Sequence, residues 1–453
     1  MYFDRIIDKY LIEWKNSPIH KPLLLRGARQ VGKSSAIRHL GMTFEYYIEV
    51  NFERQSDVRT LFQEVDDVHE LANRLGLLYN VPVVAGRTLL FLDEIQASEA
   101  AIKSLWFFKE DFPELHVAAA GSLLEFVLKD LSSFGVGRIR SLFMYPFSFD
   151  EFLSANGKAS WIQAKQAANG EHPLDIAMHH GLIQQYRIFL MVGGMPASVA
   201  AWVSSHDYNL CREEQDDVLI TYYDDFSKYA GKVDPALLRK TLQSVVMQRG
   251  RKFFFSKVEG HYRLDDVKKA LSMLCDAGLI KRVSHTAANG LPLGAEVNLK
   301  FRKYIFADSG LLLRTLDMDL GGSRDLTQLI LAGAAESLVN KGDLAELVLG
   351  WEMVKYGSPK SQHELYYWEN TAAGTTSEVD YLMAKEMKVL PVECKSGISG
   401  KMKSLHYFMR NRHLDYAVRC SLENFGTLSI SESDGNDRRI EIIPLYAVSN
   451  LLM

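Results

Sequence analysis

Short apolar runs alternate with segments of helical character through the first 150 positions. Pro22–Arg26 (PLLLR), Tyr46–Val50, Thr88–Leu92 (TLLFL), His116–Ala120 and Leu142–Pro146 read as strands. Between them, Ser34–Leu40, Val58–Leu75 and Ala100–Lys109 read as helices. Strands that are apolar on both faces must be covered on both. The pattern therefore predicts an α/β domain, with a parallel sheet between two helix layers.

From about Asp150 to Tyr229 the pattern turns helical, with apolar residues at helical spacing in Tyr186–Met191 and Asp216–Tyr223. The punctuation Gly193-Gly194-Met195-Pro196 interrupts it. A helix–turn–helix rhythm follows: Leu237–Gln248, then Asp265–Ala277, then a short strand Leu279–Val283. Leu264, Val267, Ala270, Leu271 and Leu274 mark one apolar face, and Gly278 is placed to cap the second helix. Mixed helix and strand return after Leu326. The expected divisions are a P-loop domain over 1–150, a helical lid over 151–235, a winged-helix-like module over 236–325 and a further α/β domain over 326–453.

A length of 453 residues fits two to four domains, and 47% hydrophobic with 24% charged residues is ordinary for soluble globular chains. The net charge of −4 gives the whole chain no bulk attraction for nucleic acid, while leaving room for a local basic surface. Cys211, Cys275, Cys394 and Cys420 are far apart and form no C-x-x-C pair, so reduced thiols in a cytoplasmic protein are expected. The opening MYFDRIIDKYLIEW is broken by charges, unlike a signal peptide. No apolar run reaches the roughly 18 residues that span a bilayer, so no membrane partner is expected.

Gly27, Ala28, Arg29, Gln30, Val31, Gly32, Lys33 and Ser34, with Ser35 following, fit G-x-x-x-x-G-K-S/T without a mismatch. The glycines let backbone N–H groups close around a polyanion. Lys33 can reach the β- and γ-phosphates of ATP, the Ser34 hydroxyl can ligate Mg²⁺, and the following helix offers its positive end. Leu89-Leu-Phe-Leu92 ends in Asp93 and Glu94. Two carboxylates at the C-terminal end of a buried strand lie where ligands bind in open α/β sheets. Asp93 is expected to hold Mg²⁺ and Glu94 to polarise the attacking water.

These two elements, with Ala119-Ala-Gly121-Ser122 after the next strand, resemble the AAA+ ATPases. The resemblance makes Ser122 the candidate sensor of the γ-phosphate. Gly137-Arg138, Tyr145-Pro-Phe-Ser148-Phe-Asp-Glu151 and the Gly193–Pro196 punctuation narrow it to a large, largely uncharacterised prokaryotic family. Its members join an AAA+ ATPase to a C-terminal restriction-endonuclease-like domain. Arg138 is the candidate arginine finger, with Arg140 second; the competing reading is a surface arginine before a strand. A finger acting on a neighbour's site implies a homo-oligomer.

Ser377-Glu378-Val-Asp380 and Val392-Glu393-Cys-Lys395 resemble the PD-(D/E)xK nuclease core. Residues two apart on a strand share a face, so Glu393 and Lys395 are expected to meet Asp380 across a hairpin turning near Lys385–Lys388. Asp380 and Glu393 are candidate Mg²⁺ ligands, Lys395 a candidate to orient water or stabilise charge, and Glu346 on the helix Leu344–Met353 a further ligand. The competing reading is a degenerate module that binds without cleaving. In the winged-helix-like segment Asp265 and Asp266 balance Lys268 and Lys269, which favours protein contact or docking of the lid over DNA reading. Three functions remain open: an ATP-regulated nuclease on DNA, an ATP-dependent switch binding a protein partner, and a DNA-binding ATPase. The 13 histidines show no metal spacing, and His179-His180 reads as a surface pair on a helix.

Overall fold

The computed structural model describes residues 2–65, 67–122, 128, 137–228, 231–316, 342–370, 377–396, 402–431 and 437–452. The chain divides into two compact units. The first is Met1–Tyr145 with Asp276–Gly278 and Ser358–Gln362; the second comprises Pro146–Cys275, Leu279–Gly357 and His363–Met453. No helix among the described residues is long and apolar enough to cross a membrane.

Unit one is built on β1 (Leu23–Arg26), β2 (Tyr46–Asn51), β3 (Thr88–Asp93), β4 (His116–Ala120) and β5 (Arg140–Phe143). All neighbours pair in parallel, in the order β2-β3-β4-β1-β5. Strand pleating explains the two cores. Leu24, Leu90, Leu92, Val117 and Ala119 enter one core with the helices Ser56–Glu64, Val68–Tyr79 and Glu99–Asp111. Their neighbours Leu23, Leu25, Leu89, Phe91, Ala118 and Ala120 enter the other, with the helices Ile6–Lys15 and Lys33–Gly41. The single helix expected over Val58–Leu75 is two helices. Val65 is extended, and the Asp67 side chain accepts from the His69 N–H, capping a new start. A short carboxylate offers the backbone this alternative to continuing a helix. The fifth strand begins and ends a few residues earlier than its apolar run suggests.

At one end of this sheet the His20 and His116 rings stack at 3.8 Å, with Trp14 edge-on to both. Burial pushes His116 down to about 4, and the neighbouring His20 adds to the effect. The folded state therefore binds fewer protons than the unfolded chain between about pH 6.5 and 4. Stability is full above that window and is lost as pH falls through it. We expect the thermal midpoint of the parent to fall by several degrees across this range, and that of His116→Phe to fall less. Identical pH slopes for the two proteins would remove the histidine from this role.

Unit two carries β6 (Ile280–Thr286), β7 (Val297–Phe306), β8 (Leu365–Glu369), β9 (Glu378–Lys385), β10 (Lys388–Cys394), β11 (Tyr416–Ser421), β12 (Gly426–Ser431) and β13 (Asp437–Pro444). They form a mixed sheet in the order β12-β13-β11-β10-β9-β8-β6-β7. The helix Lys403–Asn411 packs on one face through Leu405, Phe408 and Met409 against Trp368, Val379 and Leu382. The helix Gly342–Lys355 is tied to the strands by Tyr381 Oη donating to the Glu346 carbonyl (2.8 Å) and Trp351 Nε1 donating to the Phe306 carbonyl (2.6 Å). The helices Pro235–Met247 and Leu264–Asp276 precede the β6–β7 hairpin, and that hairpin lies in the same sheet as β8–β13.

The Pro146–Glu151 part of the Tyr145–Glu151 motif is a packing hub in this unit. Ser148 caps the helix Phe149–Ala155 through a reciprocal capping box with Glu151. Glu352 accepts from the Phe149 N–H at 2.9 Å, and Lys355 donates to the Phe147 carbonyl at 2.8 Å. Gly193 has φ 74 and ψ −171, backbone that side chains disfavour. A Cβ there would also strike the Asp308 carboxylate, which accepts from the Gly194 and Leu311 N–H groups. One member of the histidine pair departs from expectation: His179 is buried, its Nδ1 2.7 Å from Tyr446 Oη, because the helix Ile176–Val192 is covered on that side.

Candidate functional site

β1 ends at Arg26 and the phosphate-type loop begins at once. Gly27 takes φ 147, Gln30 φ 63 and Gly32 φ 99, so the loop coils tightly before the helix starts at Lys33. At Gly27 a Cβ would lie 2.1 Å from the Met144 carbonyl oxygen, which makes glycine obligatory there. Val31 is fully buried and Ala28 nearly so, anchoring the loop beneath its open side. Arg5 Nη1 donates to the Val31 carbonyl at 3.1 Å and braces it from the first helix. Lys33 Nζ donates to the Gly27 and Ala28 carbonyls at 2.9 and 2.8 Å, so its ammonium sits inside the loop. Ser35 faces outward.

Beside the loop, Ser34 Oγ donates to Asp93 Oδ1 at 2.7 Å, while Asn51 Nδ2 donates to Asp93 Oδ2 at 3.0 Å. Burial raises the Asp93 carboxyl above its usual range; the Ser34 bond works against this and the Glu94 charge adds to it. Glu94 has φ 51, the left-handed region. Its Oε2 accepts from Ser122 N–H and Ser122 Oγ, both at 3.1 Å, and from Gln96 Nε2 at 2.7 Å. Thus Ser34, Asp93, Glu94 and Ser122 meet at the C-terminal ends of β3 and β4, next to the loop. Arg138 lies apart from this cluster in its bonding: its Nε donates to Glu110 Oε1 at 2.6 Å and its guanidinium covers Trp106. Arg140 is exposed at the start of β5.

The second cluster lies in unit two. Glu386 and Met387 take φ 50 and 59, closing a two-residue hairpin between β9 and β10. The register pairs Lys385 with Lys388 and Tyr381 with Val392, which sets Asp380 opposite Glu393 on one face. Asp380 Oδ2 accepts from the Cys394 N–H at 2.8 Å. Lys395 Nζ is 2.5 Å from Glu393 Oε1, and Glu393 Oε2 is buried with no hydrogen-bond partner among the described residues. Carboxylate oxygens of Glu346, Glu378 and Asp380 lie within 4.8 Å of one another. Into them reaches Lys303 from β7, 2.9 Å from Glu346 Oε1 and also paired with Glu378. Burial, and then the Glu393 charge, push Asp380 up to about 7. Burial likewise raises Glu346, Glu378 and Glu393. Lys303 is raised as well: burial opposes its charge, and Glu346 and Glu378 outweigh burial. The cluster thus holds a permanent cation among carboxyls that retain protons unusually well.

Residues 19–153 match the family model of an AAA domain. That match takes in the loop, Asp93, Glu94 and Ser122, and supports ATP binding and hydrolysis for unit one. Residues 183–320 and 341–447 match models described as domains of unknown function (DUF8612 and DUF4143). No curated protein matches the chain. Within unit one, sequence reasoning passed over Asn51, Gln96 and Arg5. Asn51 ends a strand in the same way as Asp93, and its pairing with Asp93 in the sheet register is the signal that locates it. In unit two it passed over Glu378 and Lys303. Glu378 stands two positions before Asp380, so the strand period already assigns both to one face. Lys303 arrives from a distant strand and has no local signal.

Proposed function

We propose that the AAA domain hydrolyses Mg²⁺–ATP with Glu94 as the water-activating base. One observation carries the reading: Glu94 and the Ser34–Asp93 pair converge beside a complete phosphate loop. The oxygens of Ser34 and Asp93, 2.7 Å apart, suit a hard divalent cation. When bound, Mg²⁺ neutralises charge on the transferring phosphoryl group. Lys33 supplies a second positive charge, loop N–H groups orient the phosphates, and Ser122 keeps the Glu94 carboxylate aimed. Arg138, half-buried and paired with Glu110 at the surface, is the candidate to reach a neighbouring copy. If it completes that copy's site, ATP turnover per chain rises with protein concentration and Arg138→Ala loses the rise. Turnover independent of dilution would assign the whole site to one chain.

For unit two we propose metal-dependent cleavage of a phosphodiester backbone, coupled to the nucleotide state of the AAA domain. Support comes from Asp380, Glu393 and Lys395 sharing one face, and from the buried unpartnered oxygen of Glu393. These oxygens fit a divalent cation, with Asp380, Glu393 and Glu346 as holders and Glu378 beside them. The cation would stabilise charge on the scissile phosphate, and Lys395 would position water or the leaving oxygen. A regulatory switch with a non-cleaving module remains the second reading, favoured by Lys303 already compensating the carboxylates. Incubation with Mg²⁺ or Mn²⁺, with and without ATP, on DNA and RNA decides between them. Cleavage lost in Lys395→Ala, with ATP turnover retained, is expected from the first reading. Absence of metal-dependent cleavage on every substrate leaves the second.

A further inference from the structure

The chain is acidic overall, with a net charge of −4, yet its cations are unevenly spread. Residues 249–258 hold four Arg or Lys and no carboxylate, and residues 297–303 hold three and none. The fold brings these two segments together. Phe253 N–H donates to the Arg302 carbonyl at 2.8 Å, so the 249–257 loop runs along β7, a terminal strand of the unit-two sheet. Phe253 turns inward, edge-on to Tyr304 at 5.3 Å, and fixes the loop. Its neighbours turn outward.

There, cations and rings alternate. Lys252 Nζ lies 3.3 Å from the Phe301 ring centre, and Lys257 Nζ lies 5.0 Å from that of Phe254. Phe254 is 46% exposed. Arg251, Lys252, Lys257 and Lys300 make no ion pair among the described residues, whereas Arg249 is bound to Asp343 at 2.5 Å. That pair places the strip beside the acidic cluster: a Cβ on Gly250 would lie 3.0 Å from Asp343 Cβ and 3.6 Å from Glu346 Oε2.

We infer that the strip formed by Arg251, Lys252, Phe254, Lys257, Lys300 and Phe301 binds a single strand of nucleic acid. Cations without ion-pair partners beside the exposed Phe254 ring suit a partner that offers phosphates and unstacked bases together. A duplex buries its bases, leaving Phe254 nothing to stack on. An acidic peptide would use the cations and leave the ring idle. The contrast with the helix Leu264–Asp276 is informative: its charges are mixed, so the loop and the sheet edge, not that helix, carry the positive field. The inference deepens the phosphodiester reading of the acidic cluster by supplying its substrate's track. Binding is measured without a divalent cation, so the two readings can fail separately.

The test is fluorescence anisotropy of the full chain with a labelled oligothymidine of about 20 nucleotides in EDTA, titrated with NaCl. Binding should weaken with salt. Replacing Arg251, Lys252 and Lys257 together by Ala should lower affinity at least tenfold and flatten the log–log salt slope by roughly 2, about 0.7 per lost phosphate contact. Phe254→Ala should lower affinity about five- to a hundredfold with the slope unchanged. Both variants replace surface side chains, and an unaltered melting curve checks their fold. Asp380→Asn should bind like the parent even if cleavage is gone. No binding at low salt, equal binding by both variants, a preference for duplex, or equal competition by polyglutamate would each overturn the inference.

Discussion

Glu94→Gln will leave nucleotide binding intact and lower ATP turnover by about 10²–10⁴-fold, the range that a positioned general base supplies. The substitution keeps the side chain's size and an oxygen able to accept from Ser122 N–H, which now bonds Glu94 Oε2 at 3.1 Å. It keeps the Ser34–Asp93 pair untouched, and with it the proposed Mg²⁺ seat. What it removes is a carboxylate able to take a proton from water. Lys33→Ala should act differently and weaken nucleotide binding, since its ammonium is the cation held within the loop. Phosphate release and binding of a fluorescent nucleotide separate the two effects. Turnover at the parental rate in Glu94→Gln would exclude Glu94 as the base. Weakened binding in that variant would instead make it a ligand-holding residue.

Lys303→Met should be the most destabilising single change in unit two, by about 3–5 kcal/mol, the usual effect of removing one partner from a buried ion pair. Methionine fills a similar volume, so the loss isolates charge. Glu346 and Glu378 would then face each other and Asp380 with no cation between them. Their carboxyls already hold protons above the usual range, chiefly through burial, and removal of Lys303 pushes them further. The folded variant binds more protons than its unfolded chain over the window between the ordinary carboxylate values and the raised ones. Its deficit should therefore shrink as pH falls through that window and be greatest above it. Mn²⁺ or Mg²⁺ should raise the variant's melting temperature more than the parent's if the carboxylates accept a metal, because ligand binding to the native state adds stability by mass action. A variant as stable as the parent at pH 8 would end the counter-charge role of Lys303. A destabilised variant indifferent to metal would favour the non-cleaving module.

The arrangement of the glycine-rich loop and the carboxylates beside it was almost wholly legible in the amino-acid order because its parts are local. Eight consecutive residues make the loop, and two consecutive carboxylates end one strand. The acidic cluster was partly legible. Asp380, Glu393 and Lys395 follow from the strand period and one hairpin, and Glu378 follows from the same period once β9 is drawn. The partner of Arg138 was not legible: it pairs with Glu110, 28 positions away, and no local pattern links the two. Helix breaks were hard to see where a single aspartate, Asp67, outcompeted an apolar rhythm that ran through it.

Periodicity and motif spacing by themselves determined the parallel α/β character of the first 145 residues, the phosphate loop, and the placing of Asp93 and Glu94. Each depends on contacts within a few residues or on the two-residue period of a strand. Tertiary structure alone decided the strand order β2-β3-β4-β1-β5, which brings Asn51 to Asp93 and Ser122 to Glu94. It alone placed Lys303 of β7 among the carboxylates of a helix and a strand far along the chain, and laid the 249–257 loop on the β7 edge. Pairing between distant strands is set by which faces can be buried together, and no local pattern carries that information.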